Sequence, residues 1–220
     1  MLPARCAGCG GAPATRRGFC PACAGELAAL RPGPVRPTPA PPDLPPCHAL
    51  GPYAGALRQA LLAYKERGRH GLARPLGALL AEVVAGAVGE ARPVLLVPVP
   101  DTAAAARARY GDHLARLAGH AAARLRRAGW DVRTARPLRA SPRADSVTLD
   151  RAGRAAAAAS AFRTRGGRPG RDAAGRTVVV LDDIVTTGVT LAAVSRTLLA
   201  AGMTPKVTAV LAATQKRHRW

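Results

Sequence analysis

The sequence predicts an α/β fold, a mostly parallel sheet flanked by helices, with a small cysteine-bearing element at the N-terminus. Three observations carry that reading. From residue 49 onward, amphipathic helical stretches alternate with short runs rich in β-branched residues, the pattern of parallel strands joined by helices. Four of the 5 cysteines fall within residues 1–30. Residues 31–48 form a proline-rich linker, too rich in proline for a helix or a central strand and expected to be extended or turn-rich. The expected division is 1–30, 31–48 and a packed domain at 49–220.

A chain of 220 residues suits one α/β domain with an appendage. Hydrophobic residues make up 48% and aromatic ones 3%, so the core must come from Ala, Val and Leu. That apolar content argues against disorder throughout. Along the domain, residues 54–67 carry Leu57, Ala60, Leu61, Ala63 and Tyr64 at helical spacing, and 72–88 repeat the pattern, with Gly68 and Gly71 between them. Residues 93–100 read as a buried parallel strand. Helical spacing returns over 102–128, with Tyr110-Gly111 as a point of interruption. A second strand is expected at 132–138, a polar loop at 139–150 and a helix at 151–159. Residues 177–181 are the clearest strand, 191–201 the helix that follows, and 207–212 the closing strand, with Gly202 and Pro205 as the helix stop.

Lys and Arg number 33 against 13 acids, a formal net charge of +20, and only Lys65, Lys206 and Lys216 are lysines. One reading is a partner that carries negative charge: nucleic acid, anionic lipid or a phosphate-bearing ligand. The other is a compositional bias that favours Arg over Lys, which explains the choice of cation but not the shortage of acids. No run approaches the ~18 consecutive apolar residues of a membrane helix, because Glu82 interrupts 76–88. Residues 1–10 have no signal-peptide core. The expectation is a cytoplasmic protein without membrane insertion.

Cys6, Cys9, Cys20 and Cys23 form two CxxC pairs separated by ten residues. Four thiolates from two such knuckles can close tetrahedrally on Zn²⁺, which makes 1–30 a candidate structural zinc element. The alternatives are two disulfides, which need an oxidising compartment, or a redox pair, which needs one motif rather than two. Cys47-His48 is a further potential ligand pair, more simply read as incidental.

The most informative segment is 177–191. An apolar strand delivers Asp182 and Asp183 at its C-terminal end, and a small-residue loop with Thr186, Thr187, Gly188, Val189 and Thr190 opens onto a helix. In open α/β sheets the crevice beyond the strand ends is where ligands bind. Unpaired amides at a helix N-terminus, with three hydroxyls beside them, suit a phosphate. Carboxylates and a phosphate cradle on one segment suit a phosphorylated ribose. The plainer alternative is an ordinary strand, turn and capped helix, although two adjacent acids ending a buried strand are costly without a ligand. No Walker A loop is present.

This segment, Val180-Leu-Asp-Asp-Ile-Val-Thr-Thr-Gly-Val-Thr190, resembles the motif of type I phosphoribosyltransferases. The resemblance implies that fold, with Asp182 and Asp183 on the ribose hydroxyls of 5-phosphoribosyl 1-pyrophosphate and Thr186 to Thr190 on its 5-phosphate. The order of parts is similar to the ComF family: four cysteines, a helix ending Tyr64-Lys65-Glu66-Arg67-Gly68, the run Val97-Pro98-Val99-Pro100, then the acidic motif. Some members of that family are linked to natural competence and DNA uptake. Where the family shows Arg-x-Arg-Gly-Phe-Asn-Gln, this chain has Arg107 and Arg109, placed to meet a pyrophosphate, followed by Tyr110, Gly111, Asp112 and His113. Its next loop carries Asp145-Ser146, with Arg143, Arg151 and Arg154 beside it.

Two functions follow from the resemblance. One is phosphoribosyl transfer from phosphoribosyl pyrophosphate with Mg²⁺, in which no residue is an obvious general base and His113 is a weak candidate. The alternative is a non-catalytic module that senses a nucleotide or binds single-stranded DNA or a DNA-uptake helicase through its basic surface. Trp130, Trp220, Phe19 and Tyr53 are scattered, so such a surface lacks an aromatic stacking platform.

Overall fold

The computed structural model describes residues 5–15, 17–90, 93–108, 111–141, 161–166 and 169–214. Helix α1, Pro21–Ala29, starts on a proline, which needs no amide partner at that position, and buries Cys23 and Leu27. Strands β1, Gly33–Val35, and β2, Cys47–Pro52, lie within and just after the proline-rich stretch. Helix α2, Gly55–Lys65, buries its Leu57, Ala60, Leu61 and Tyr64 side. After a short 3-10 turn come α3, Ala73–Val88, and β3, Val94–Pro98, every residue of which is buried.

The expected long helix is broken at Gly111 into α4, Ala103–Ala108, and α5, His113–Arg127. The strand expected at 132–138 is instead two: β4, Val132–Thr134, in the main sheet, and β5, Leu138–Ala140, paired with β6, Phe162–Thr164, in a separate ribbon. Pro137 explains the break, since it has no amide to give a ladder. The helix expected at 151–159 lies outside the described residues. A short α6, Pro169–Ala173, leads into β7, Thr177–Val185, then α7, Val189–Ala200, and β8, Pro205–Ala213.

The main sheet runs β1-β2-β8-β7-β3-β4. All its pairings are parallel except β1 with β2. Strands β3, β7 and β8 form its centre and read as almost unbroken apolar runs, as strands covered on both faces must. Helices α3 and α5 pack against one another; α3 also lies on β8 and β2, α5 on β3 and β4, and α7 on β7 and β8. Among the described residues the core is mainly Ala, Val and Leu, with the rings of Tyr64 and Phe19 buried in it. Cys6, Ala7, Phe19 and Leu27 of the N-terminal element join that same core. Residues 70–88 are long and apolar enough to cross a membrane by length and composition alone. In this fold, however, Leu76, Leu80, Val83 and Val84 of that stretch are wholly buried in the core.

Helices α3 and α5 approach closely at Gly77, where a Cβ would lie 2.9 Å from the Leu117 carbonyl oxygen. Helix propensity favours Ala over Gly by about 1 kcal/mol, but a backbone oxygen cannot rotate away and overpacking costs about 1–3 kcal/mol. Gly77→Ala is therefore expected to lower the urea midpoint. Gly119→Ala, on exposed α5 surface with no neighbour within 4 Å, should raise it by up to about 1 kcal/mol. Equal effects of the two substitutions would refute the close helix contact.

Candidate functional site

The register of β3 on β7 sets the site. Pro98 lies opposite Leu181, and the Val99 amide donates to the Leu181 carbonyl at 2.9 Å. The residues after β3, starting with Asp101, therefore run beside the acid pair. Strand alternation sends Asp182 and Asp183 to opposite faces of β7. Asp182 folds back so that Oδ1 accepts the Asp183 amide at 2.8 Å. Asp183, only 5% exposed, faces α2 and α5.

There two cations converge on one oxygen. Lys65 Nζ lies 2.8 Å and His113 Nε2 3.0 Å from Asp183 Oδ2. On the other side of the imidazole, Nδ1 lies 2.8 Å from Asp101 Oδ2. Tyr64 donates its hydroxyl to the His113 carbonyl at 2.7 Å and presents its ring edge-on to the imidazole. Asp112 caps α5 by accepting the Ala115 amide at 2.9 Å, and Arg136 grips its other oxygen.

Burial works against every charge here, and the partners decide the outcome. For His113, burial lowers the proton affinity, but Asp101 and Asp183 outweigh it and push the imidazole up to about 9. Burial alone would raise Asp183, yet His113 and Lys65 hold it below the ordinary carboxylate range. For Asp182, burial and then the neighbouring Asp183 charge outweigh the more distant Lys65 and His113 and push it up to about 8. Burial also pushes the Tyr64 hydroxyl up to about 12. His113 is thus charged at neutral pH. That argues against His113 as a general base, because an imidazolium has no lone pair to accept a proton.

Beyond the acids, Val185 ends β7 and Gly188 turns the chain into α7. Gly188 adopts φ 75°, ψ 0°, and no side chain caps the helix. A Cβ there would be strained by that φ and would lie 2.9 Å from Leu44 Cδ2, so the linker residue Leu44 packs directly on the loop. Thr186, Thr187 and Thr190 are exposed, as is Val189. Arg107 is exposed on α4, and no described contact joins it to the acids or the loop. Arg109, Arg143, Arg151 and Arg154 lie outside the described residues, as do Asp145-Ser146.

Sequence reasoning gave Lys65 no role and passed over Asp101. The signals were present: a lysine ending an otherwise apolar helix face, and an acid immediately after a buried strand. Neither reveals that the lysine meets Asp183, or that the acid meets the imidazole of His113.

The four N-terminal cysteines meet with all their sulfur atoms within 4.8 Å of one another, and no cysteine is in a disulfide. Tetrahedral Zn–S bonds of ~2.3 Å place sulfurs about 3.8 Å apart; Cys9 and Cys20 sulfurs are 3.9 Å apart. The Gly8 and Cys20 amides point at Cys6 Sγ, at 3.3 and 3.2 Å. Burial would raise the Cys6 thiol, but these and the Cys9 amide bring it down to about 6. Burial and the neighbouring cysteines push Cys23 up to about 12, so a metal cation is what would let all four ionise together. The donor set fits a tetrahedral metal. Cys47 and His48 stand apart in β2, both inside the sheet.

An open, mostly parallel sheet with acids at a strand end, followed by an uncapped helix N-terminus, forms a crevice suited to an anionic ligand. Residues 115–220 match the family model described as the phosphoribosyl transferase domain. That stretch, a little under half of the chain, contains the acids and the loop but stops short of Lys65, Asp101 and His113. No curated protein matches the chain.

The charges fix how stability depends on pH. His113, raised from 6.5 to about 9, contributes stability that is complete below 6.5 and lost as pH rises through about 9. Asp182, raised from 3.8 to about 8, adds a penalty that is absent below 3.8 and complete above about 8. Both lower stability between 6.5 and 8, by a few kcal/mol together. Urea midpoints are expected to fall across that window. Asp182→Asn should remove the part that accrues between 3.8 and 8, since an amide has no charge to bury. Parallel profiles for the two proteins would contradict the assignment.

Proposed function

We propose that the chain binds phosphoribosyl pyrophosphate or a related phosphoribosyl ligand and transfers the phosphoribosyl group to an acceptor. The observation that carries this is the acid pair ending β7, directly followed by a left-handed glycine and an uncapped twelve-residue helix. In this reading Asp182 and Asp183 meet the ribose hydroxyls. The 5-phosphate lies at residues 186–190, where the first amides of α7 and the three threonine hydroxyls stabilise its charge. Arg107 and Arg109 serve the pyrophosphate.

Transfer breaks the bond from ribose C1 to pyrophosphate, which leaves with the electron pair, while the acceptor's lone pair forms the new bond to C1. The protein contributes orientation and charge stabilisation, for which no protein base is required. Mg²⁺ would arrive on the pyrophosphate. Asp183 is already matched by two cations, and among the described residues only the four cysteines form a group able to hold a metal.

Zn²⁺ on Cys6, Cys9, Cys20 and Cys23 completes the reading. It would supply folding energy to an element too small to fold alone. Reduced thiols and a zinc element are consistent with a cytoplasmic setting, and the ComF resemblance with a role in DNA uptake. The alternative, a module for single-stranded DNA or a DNA-handling helicase, has one observation in its favour. Arg139 and Arg163 face each other directly across the β5–β6 ribbon, both exposed. Like charges in that position repel, which an anionic partner would relieve.

Calorimetry with phosphoribosyl pyrophosphate and Mg²⁺ tests the main reading. Micromolar binding is expected, weakened at least tenfold by Gly188→Ala and abolished by Asp182→Asn with Asp183→Asn. No binding to the intact chain would overturn it. A salt series with single-stranded DNA should show, for the alternative, a steep salt slope that Arg139→Ala with Arg163→Ala reduces. Elemental analysis of protein purified without chelator should find about one Zn per chain, and a chelator should lower the melting temperature.

A further inference from the structure

We infer that His113 is a positioning residue of the proposed phosphoribosyl site: an imidazolium clamped between Asp101 and Asp183 that, together with Lys65, holds Asp183 by Oδ2 as a fixed carboxylate acceptor for a ligand hydroxyl. The inference rests on the phosphoribosyl reading for its ligand, but the charge state of His113 stands on geometry alone.

A neutral imidazole has one N–H and one lone pair. In this site both ring nitrogens face carboxylate oxygens, Nδ1 on Asp101 at 2.8 Å and Nε2 on Asp183 at 3.0 Å. Asp183 Oδ2 also takes Lys65 Nζ at 2.8 Å, so that oxygen must accept from both sides. With a proton on each nitrogen the ring donates to Asp183 from Nε2 and sets a positive Nδ1–H against Asp101 Oδ2, a close ion pair rather than an aligned hydrogen bond. Any neutral tautomer sets a lone pair against a carboxylate oxygen.

The surroundings keep the ring in place. Asp101 comes from the loop after β3, Asp182 and Asp183 from β7, and Tyr64 and Lys65 from the end of α2. Asp112 and Arg116 flank His113 on α5 itself. Tyr64 anchors the His113 backbone, and the Asp112 cap fixes the helix start. The elevated proton affinity of His113 agrees with this arrangement.

Adjacent carboxylates with one cation between them tend to retain a proton. The second cation lets Asp183 remain an acceptor as pH falls. A neutral amide at 113 can still donate a hydrogen bond to Asp183, but it supplies no charge. Asp183 should then take up a proton at higher pH and lose its acceptor role.

The experiment uses the full-length protein and His113→Gln, with binding of 5-phosphoribosyl 1-pyrophosphate and Mg²⁺ followed by calorimetry from about pH 6 to 8. The ratio of the two affinities cancels the titration of the ligand's own phosphate. It is expected to widen by about tenfold toward the acid end. A ratio independent of pH would reduce His113 to a packing residue and overturn the inference. Nitrogen-15 NMR of the histidines in the ligand-free intact protein should find His113 with protons on both nitrogens at neutral pH. A neutral ring would overturn the inference as well. Asp101→Asn, which spares the residues touching the ligand, should lower the His113 titration by at least about one unit, even if His113→Gln fails to fold. An intact chain that does not bind the ligand refutes the phosphoribosyl reading, whereas the NMR result still decides the state of His113.

Discussion

A carboxylate buried beside another carboxylate is unstable in its charged form unless cations are brought to it, and Asp183 stands in that position. Its strand is central in the sheet and buried on both faces, so water cannot do the work. Two cations from separate elements do so instead, Lys65 from the end of α2 and His113 from the start of α5. The broken helix before His113, the α5 cap and the placement of the β3 loop all serve that meeting. For Asp182, one residue earlier, the same two cations act only at longer range, and burial with the Asp183 charge pushes it up to about 8. The pair therefore consists of two chemically different acids.

Helix α2 links the two ends of the molecule. At its start, the Ala56 amide donates to Glu26 of α1 at 2.8 Å, beside the cysteine cluster. At its end, Tyr64 and Lys65 hold His113 and Asp183. The cysteine element thus packs on the helix that orders the acid site, and shares its core. The proline-rich stretch is equally involved: it contributes β1 to the sheet edge and lays Leu44 against Gly188.

The parallel strands and the helix after the acids were legible because their signals are local. Residues 177–181 and 207–212 are apolar runs of the right length, and the observed strands contain them. The break near Gly111 was visible in the same way. Strands β1, β2, β5 and β6 were not legible. Three of them are three residues long and β2 is threaded with glycine and proline, so nothing but their partners makes them strands. The cysteine spacing was informative because metal chemistry demands it.

The chain's own order of residues determined the α/β class, the four-cysteine knuckles and the acid-loop motif, since each depends on neighbours within about a dozen positions. Tertiary structure alone decided what the acids are. Their charge states depend on burial and on Lys65 and His113, which sequence separates from Asp183 by 70 positions or more. Electrostatic energy depends on distance in space and on exclusion of water, and neither is written in the order of the residues. His113, a base by its ordinary chemistry, becomes a fixed cation only where the fold sets it between two carboxylates.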